Sequence, residues 1–247
     1  MAISTNPLAW LRSVQPRRAI ALLLLLLPLT VGAQTVRDLW LSMPPSFAPY
    51  LSTSLRTQCL DFYDMHTDAQ TDNALKGKSR IDTLTSTFLA ATLSKAHTLQ
   101  MKLLPASGSG SASASGSASG LGSSMVSGSG SSSSLSSCDS VLCVVRSWDG
   151  PKRDSEVQLF DRQWKPLQAP FTFSADSFVC RPDTMSEERF SRLVAMLDPI
   201  MFSVSLSPAE NVLLVKLSPV VPNPEDEKAI EQILVQRKLK WDGKTFK

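Results

Sequence analysis

The sequence predicts an α+β fold: an antiparallel sheet, or sheets, of meander hairpins with helices packed on one side, behind an N-terminal signal peptide. Three observations carry this reading. Short runs with strand character follow one another across polar turns from Phe88 to Leu167, and again from Phe202 to Leu217. Helix-spaced apolar stripes stand before, between and after these groups, so helices and strands are segregated rather than strictly alternating. A basic leader, an apolar run and small residues open the chain.

The opening segment is the first to justify. Arg12, Arg17 and Arg18 form a basic region with no acidic residue, AIALLLLLLPLTV follows from Ala19 to Val31, and Val31-Gly32-Ala33 supplies small residues. That order is the layout of a cleaved secretory signal. Residues 1–33 are expected to be the signal peptide, cut between Ala33 and Gln34. The run is short for a membrane span and Pro28 interrupts it, a retained anchor being the competing reading. Losing the three arginines takes 25 basic residues to 22, equal to the 22 acidic ones, and the formal charge from +3 to zero. A neutral chain has no excess of positive charge to displace the counterions of nucleic acid, and it shows no polybasic patch for anionic lipid. The expected location is periplasmic or extracellular, with no membrane span after cleavage.

The remainder, 34–247, is read as one α+β domain. Val36 to Leu41 makes a short amphipathic turn or helix, stopped by Pro44-Pro45. From Pro49 to Leu75 the residues Leu51, Leu55, Cys59, Phe62 and Met65 recur at spacings of three and four, which predicts a helix with one apolar stripe ending near Gly77. Phe88–Leu93 and Thr98–Leu103 are strands joined by Ser94–His97. Residues 106–137 are almost wholly Ser, Gly and Ala and cannot bury enough apolar surface to offset the entropy of ordering. Strand-like flanks make this segment a disordered loop insert of about 30 Å root-mean-square span rather than a linker between domains. Setting it and the presequence aside leaves about 180 residues, enough for a substantial core. VLCVVRSW and SEVQLF then flank Asp149-Gly150, a strong hairpin signal, and Trp164–Leu167 closes the meander. A helix over Met185–Leu197, a hairpin across SPAEN, a helix opened by Pro224 with acidic residues in its first turn, and a short strand in LKWDGKTFK complete the chain.

Four cysteines remain after cleavage. Cys59, Cys138, Cys143 and Cys180 allow three disulfide connectivities, and free thiols and one disulfide both stay open. No Cys/His spacing suggests a metal.

The stretch FVCRPDTMSEERF, Phe178–Phe190, groups a cysteine, an arginine and an aspartate. A nucleophilic thiol needs a base to activate it, and only His66 and His97 are present, neither in an orienting motif. Thr184 and Glu187 have the spacing of a capping box, so the stretch is read as a helix start. Arg181 and Asp183 are kept as surface candidates, because an arginine beside a helix start can hold an anion or one of the protein's own carboxylates. Asp61, Asp64, Asp68 and Asp72 fall on one helical face, read as solvated, with a divalent-cation surface as the alternative. Gly77-Lys78-Ser79 resembles the end of a phosphate loop but lacks the earlier glycine. Trp148, Trp164 and Trp241 stand at or near strand ends and are read as core or hairpin pillars, with an exposed partner groove as the alternative. No catalytic, cofactor-binding or metal residue is assigned.

The motifs SMPPSFAPYL, GKSRIDTLTSTFLAATLS, LQMKLLP, VLCVVRSWDGPKRDS, RPDTMSEERF, FSVSLSPAENVLLVKLSP and LKWDGKTF cover nearly all of the mature chain. In wording and order they resemble a family of uncharacterised exported proteins of gut and oral anaerobic Gram-negative bacteria sharing a domain of unknown function. The Ser/Gly insert departs from that pattern. The resemblance implies export and one compact domain, and no activity. The functional expectation is an exported protein that binds an envelope protein or an extracellular polymer; the alternative is an envelope hydrolase whose catalytic residues meet only in the fold.

Overall fold

The computed structural model describes residues 34–106, 140–168 and 172–247. The expected signal peptide with Ala33, the Ser/Gly-rich insert beyond Ala106, and Cys138 lie outside these residues; Gln34 is the first one described.

Two short helices lead: α1 (Val36–Ser42) and α2 (Thr53–Asp64). Thr35 and Asp38 close a capping box at the start of α1. Seven strands follow: β1 (Thr71–Asp72), β2 (Lys78–Leu84), β3 (Phe88–Ser94), β4 (His97–Pro105), β5 (Ser140–Asp149), β6 (Arg153–Phe160) and β7 (Pro166–Leu167). They form one sheet in sequence order, each antiparallel to its neighbour, a pure meander. A 3₁₀ turn at Ala175–Phe178, helix α3 (Glu187–Val194), strands β8 (Phe202–Leu206) and β9 (Val212–Leu217), helix α4 (Pro224–Glu231) and strand β10 (Arg237–Lys240) complete the chain. The last three strands make a second antiparallel sheet in the order β10-β9-β8. The expected α+β class with antiparallel hairpins is observed.

Period-two alternation sorts the large sheet into two buried faces. Leu99 and Met101 of β4 with Leu142 and Val144 of β5 pack under Leu39, Trp40 and Leu60 of the leading helices. Their neighbours Leu104, Val141, Cys143 and Val145 point the other way, onto Val204, Leu206, Leu213 and Val215 of the second sheet. Burial on both faces explains why β5 reads as the unbroken apolar run VLCVV. Leu193 of α3 and Ile230 of α4 join this second core, so helices lie on both sides of the large sheet rather than all on one.

Polar side chains stitch the layers together. The backbone amides of Phe202, Val204 and Leu206 on β8 donate to Asp154 Oδ1, Ser155 Oγ and Gln100 Oε1 of the large sheet, at 3.3, 3.1 and 2.8 Å. Buried Arg56 donates to the carbonyl of Leu41 at the C-terminal end of α1 (3.2 Å) and to Thr53 Oγ1 (3.0 Å), and Trp40 Nε1 donates to the Arg56 carbonyl (3.0 Å). The guanidinium thus meets carbonyls that the helix leaves unpaired.

Three expectations are corrected. The helix expected over Pro49–Leu75 ends at Asp64, and Thr71–Asp72 becomes β1. Past Met65 the polar segment HTDAQTDN has no apolar stripe to bury, and His66 takes a left-handed φ of 51°. Asp68 and Asp72 therefore share no helical face with Asp61 and Asp64. The start of α3 is capped by Ser186, whose hydroxyl accepts from the Arg189 amide at 3.3 Å, not by Thr184. His97 is the first residue of β4 and is buried, not in a turn.

Candidate functional site

The face of the large sheet that the leading helices cover is not covered to its edge. Alternation along β5 places Trp148, Arg146 and Val144 on this face. Their ladder partners on β6 are Asp154, Glu156 and Gln158, and on β4 His97, Leu99 and Met101. Leu99, Met101 and Val144 go under the helices. Arg146, Trp148, Glu156 and Gln158 remain as an open strip, on the order of 13 Å long from four residues of strand rise.

The strip is held rigidly from behind. The rings of His97 and Trp148 stack with centroids 5.3 Å apart and planes 9° from parallel. Tyr50, carried by the segment after Pro44-Pro45, hydrogen-bonds through its hydroxyl to His97 Nδ1. His97 Nε2 is buried with no hydrogen-bond partner among the described residues. The Arg146 guanidinium lies 5.0 Å from the centre of the Phe47 ring and 5.5 Å from that of Trp148. It donates to Glu156 Oε2 at 2.6 Å, and Gln158 Nε2 donates to Glu156 Oε1 at 2.5 Å. Trp148 is 40% exposed, whereas Trp164 and Trp241 are 7% and 9% exposed. Burial, and then the nearby Arg146 charge, hold the His97 imidazole below its ordinary value of 6.5, and burial raises the Tyr50 phenol. A neutral imidazole, hydrogen-bonded to a neutral phenol, thus stacks on the indole.

Of the residues singled out from the sequence, His97 and Trp148 fall in this strip and the others lie elsewhere. Cys180 is exposed, and its thiol donates to the Arg181 carbonyl at 3.9 Å. Arg181 reaches the Met185 carbonyl at 3.0 Å and the Glu187 carboxylate at 3.2 Å, and Asp183 is exposed on the same connection. Cys59 on α2 and His66 just past its end line one polar groove with Tyr63, Asp68, Arg80 and Asp82. The Cys59 thiol, however, is buried, donates to the Ser79 carbonyl, and is raised by burial, the opposite of activation. Asp64 pairs with Arg37. Ser79 is buried and donates to the Leu93 carbonyl at 2.8 Å, so Gly77-Lys78-Ser79 belongs to a strand start. Cys59, Cys143 and Cys180 are free thiols.

A further concavity of about 300 Å³ opens where the end of β9 meets α4, over Leu217, Val221 and Ile230; Lys152 and Glu227 pair at its rim. Among the described residues no group of three or more His, Cys, Asp or Glu is placed to hold a metal ion, and no helix is long and apolar enough to cross a membrane.

Arg146, Glu156 and Gln158 were not singled out from the sequence. The signal for them was present, since Asp149-Gly150 sets the register that places Arg146 opposite Glu156.

Comparison with known proteins agrees with this fold. A family model described as "Protein of unknown function (DUF3256)" matches residues 28–113 and 133–246, leaving out the middle of the Ser/Gly-rich insert. A solved structure of a domain of an uncharacterized protein from Porphyromonas gingivalis W83 is similar to this chain, with a TM-score of 0.61 and 22% identity; the match covers 86% of this chain and 98% of that one. At that identity the likeness shows the fold alone. No curated protein matches.

Proposed function

The chain belongs to the DUF3256 family of proteins of unknown function, and from that premise we propose that it is an exported periplasmic or cell-envelope protein that acts by binding an envelope protein or an extracellular polymer. The export half rests on the basic leader, the Ala19–Val31 run and the small residues up to Ala33. The binding half rests on one observation: a partly exposed indole, Trp148, stands at the end of β5 with its ring stacked on His97 and the Arg146 guanidinium over it. A side chain already ordered loses little freedom when a partner covers it.

The test has two arms. Fractionation of cells carrying the tagged full chain, with N-terminal sequencing, is expected to recover a mature protein starting at Gln34 outside the cytoplasm. An intact Met1 form in the cytosol overturns export. Immobilised protein is expected to retain material from an envelope extract or from shed polymer, and Trp148→Ala to lose it. Equal retention by both overturns the role of the strip.

A further inference from the structure

We propose that the Trp148 strip binds an uncharged polysaccharide, a claim that rests on the binding-module reading and names its partner. The strip joins one partly exposed indole to a row of planar hydrogen-bonding groups. The C–H groups of a sugar ring carry small positive charge and pack on the negative face of an indole. Hydroxyls around the ring need donors and acceptors in fixed positions, and Arg146, Glu156 and Gln158 supply both within one connected network. Arg146 and Glu156 form an ion pair, so their two charges cancel. Asp154, the ladder partner of Trp148, gives its carboxylate to the amides of Ser155 and Phe202. With the exposed Asp154 carboxylate beside Trp148 and Arg146 already paired, the strip offers no electrostatic gain to an anionic polymer.

The observations disfavour a protein partner on this surface. A stable protein interface needs about 800 Å² per side around an apolar centre. Trp148 is the only large exposed apolar side chain of the strip; Met65, Leu75 and Ile200, the other such residues among those described, stand on other segments. His97 is a positioning residue. It sets the plane of the indole from below and makes no contact with the polymer.

Affinity electrophoresis of the purified protein tests the proposal. The gels carry soluble neutral polysaccharides of several backbones (a mixed-linkage β-glucan, a xyloglucan, a galactomannan and an α-glucan) or an anionic polymer, dextran sulfate. At least one neutral polymer is expected to retard the protein, independently of salt. Trp148→Ala is expected to weaken that binding about tenfold or more, and Trp148→Phe to keep most of it, with unchanged circular dichroism in both. His97→Asn, which removes the ring stacked on the indole without touching the polymer, is expected to weaken binding by a smaller factor and to broaden the tryptophan emission. Retardation only by dextran sulfate, lost in salt, overturns the proposal. So does retardation that survives Trp148→Ala, or none on any neutral gel. If no neutral polymer binds but an envelope protein is captured in a Trp148-dependent way, the polysaccharide is wrong and the binding module stands. If neither is bound, both fail.

Discussion

Lys102 Nζ lies 2.6 Å from the carbonyl oxygen of Ser207, 105 positions further along the chain. The same ammonium donates to the carbonyls of Glu210 at 2.7 Å and Pro208 at 3.1 Å, and it sits 5.9 Å from the centre of the Phe88 ring. Lys102 is only 2% exposed. Its partners are the carbonyls of the β8–β9 turn, so one side chain of the large sheet holds the tip of the second sheet's hairpin. Lys102→Met keeps the stem and removes the donors. The turn carbonyls are then left unpaired, and the expected loss is about 2–4 kcal/mol. Urea unfolding checks it: an unchanged midpoint would show that the latch contributes nothing.

His97 makes stability depend on pH. The unfolded imidazole titrates near 6.5, and burial with Arg146 nearby holds the folded one lower. Above 6.5 the ring is neutral in both states. As pH falls below 6.5 the unfolded chain takes up the proton first, so stability falls until the folded value is passed. His97→Asn is expected to lower stability at pH 7.5 but to flatten the decline toward pH 5. Equal slopes for both proteins would refute the assignment.

The tryptophans separate by burial. Trp164 packs between Phe47 and Phe160, and its Nε1 donates to the Leu39 carbonyl at 3.2 Å. Trp164→Ala is expected to cost about 3–5 kcal/mol. Trp148→Ala, at a half-open site, is expected to cost about 1 kcal/mol. Thermal unfolding of the two variants orders them, and the reverse order would contradict the packing.

Capping gives a sharper contrast. Ser186→Ala is expected to cost about 1 kcal/mol, because the Arg189 amide loses its acceptor. Thr184→Ala, at an exposed position outside α3, is expected to stay within about 0.5 kcal/mol.

Thiol chemistry follows accessibility. Cys180 is exposed, while Cys59 and Cys143 are buried and raised by burial. Iodoacetamide on the native protein, read by peptide mass, is expected to mark Cys180 and to reach the other two only after unfolding.

Local signals made the hairpins legible. Asp149-Gly150 marks the β5–β6 turn, and SPAEN between FSVSL and VLLVKL marks the β8–β9 turn. The face-to-face packing of the two sheets was not legible, because it depends on partners as remote as Lys102 and Ser207. The end of α2 was over-extended because aspartates at spacings of three and four fit a helix as well as a loop. Of the site, Trp148 was visible as a strand-end indole, with burial preferred. Its exposure follows from where the leading helices stop, which no local pattern encodes.

The three side-chain bonds to β8 have an outcome beyond joining layers. Alternate amides of that strand, at Phe202, Val204 and Leu206, already have acceptors on the side away from β9. A strand from another copy sliding alongside finds those donors spent and cannot extend the ladder. This margin is therefore a poor seed for the stacked, strand-by-strand growth of fibres.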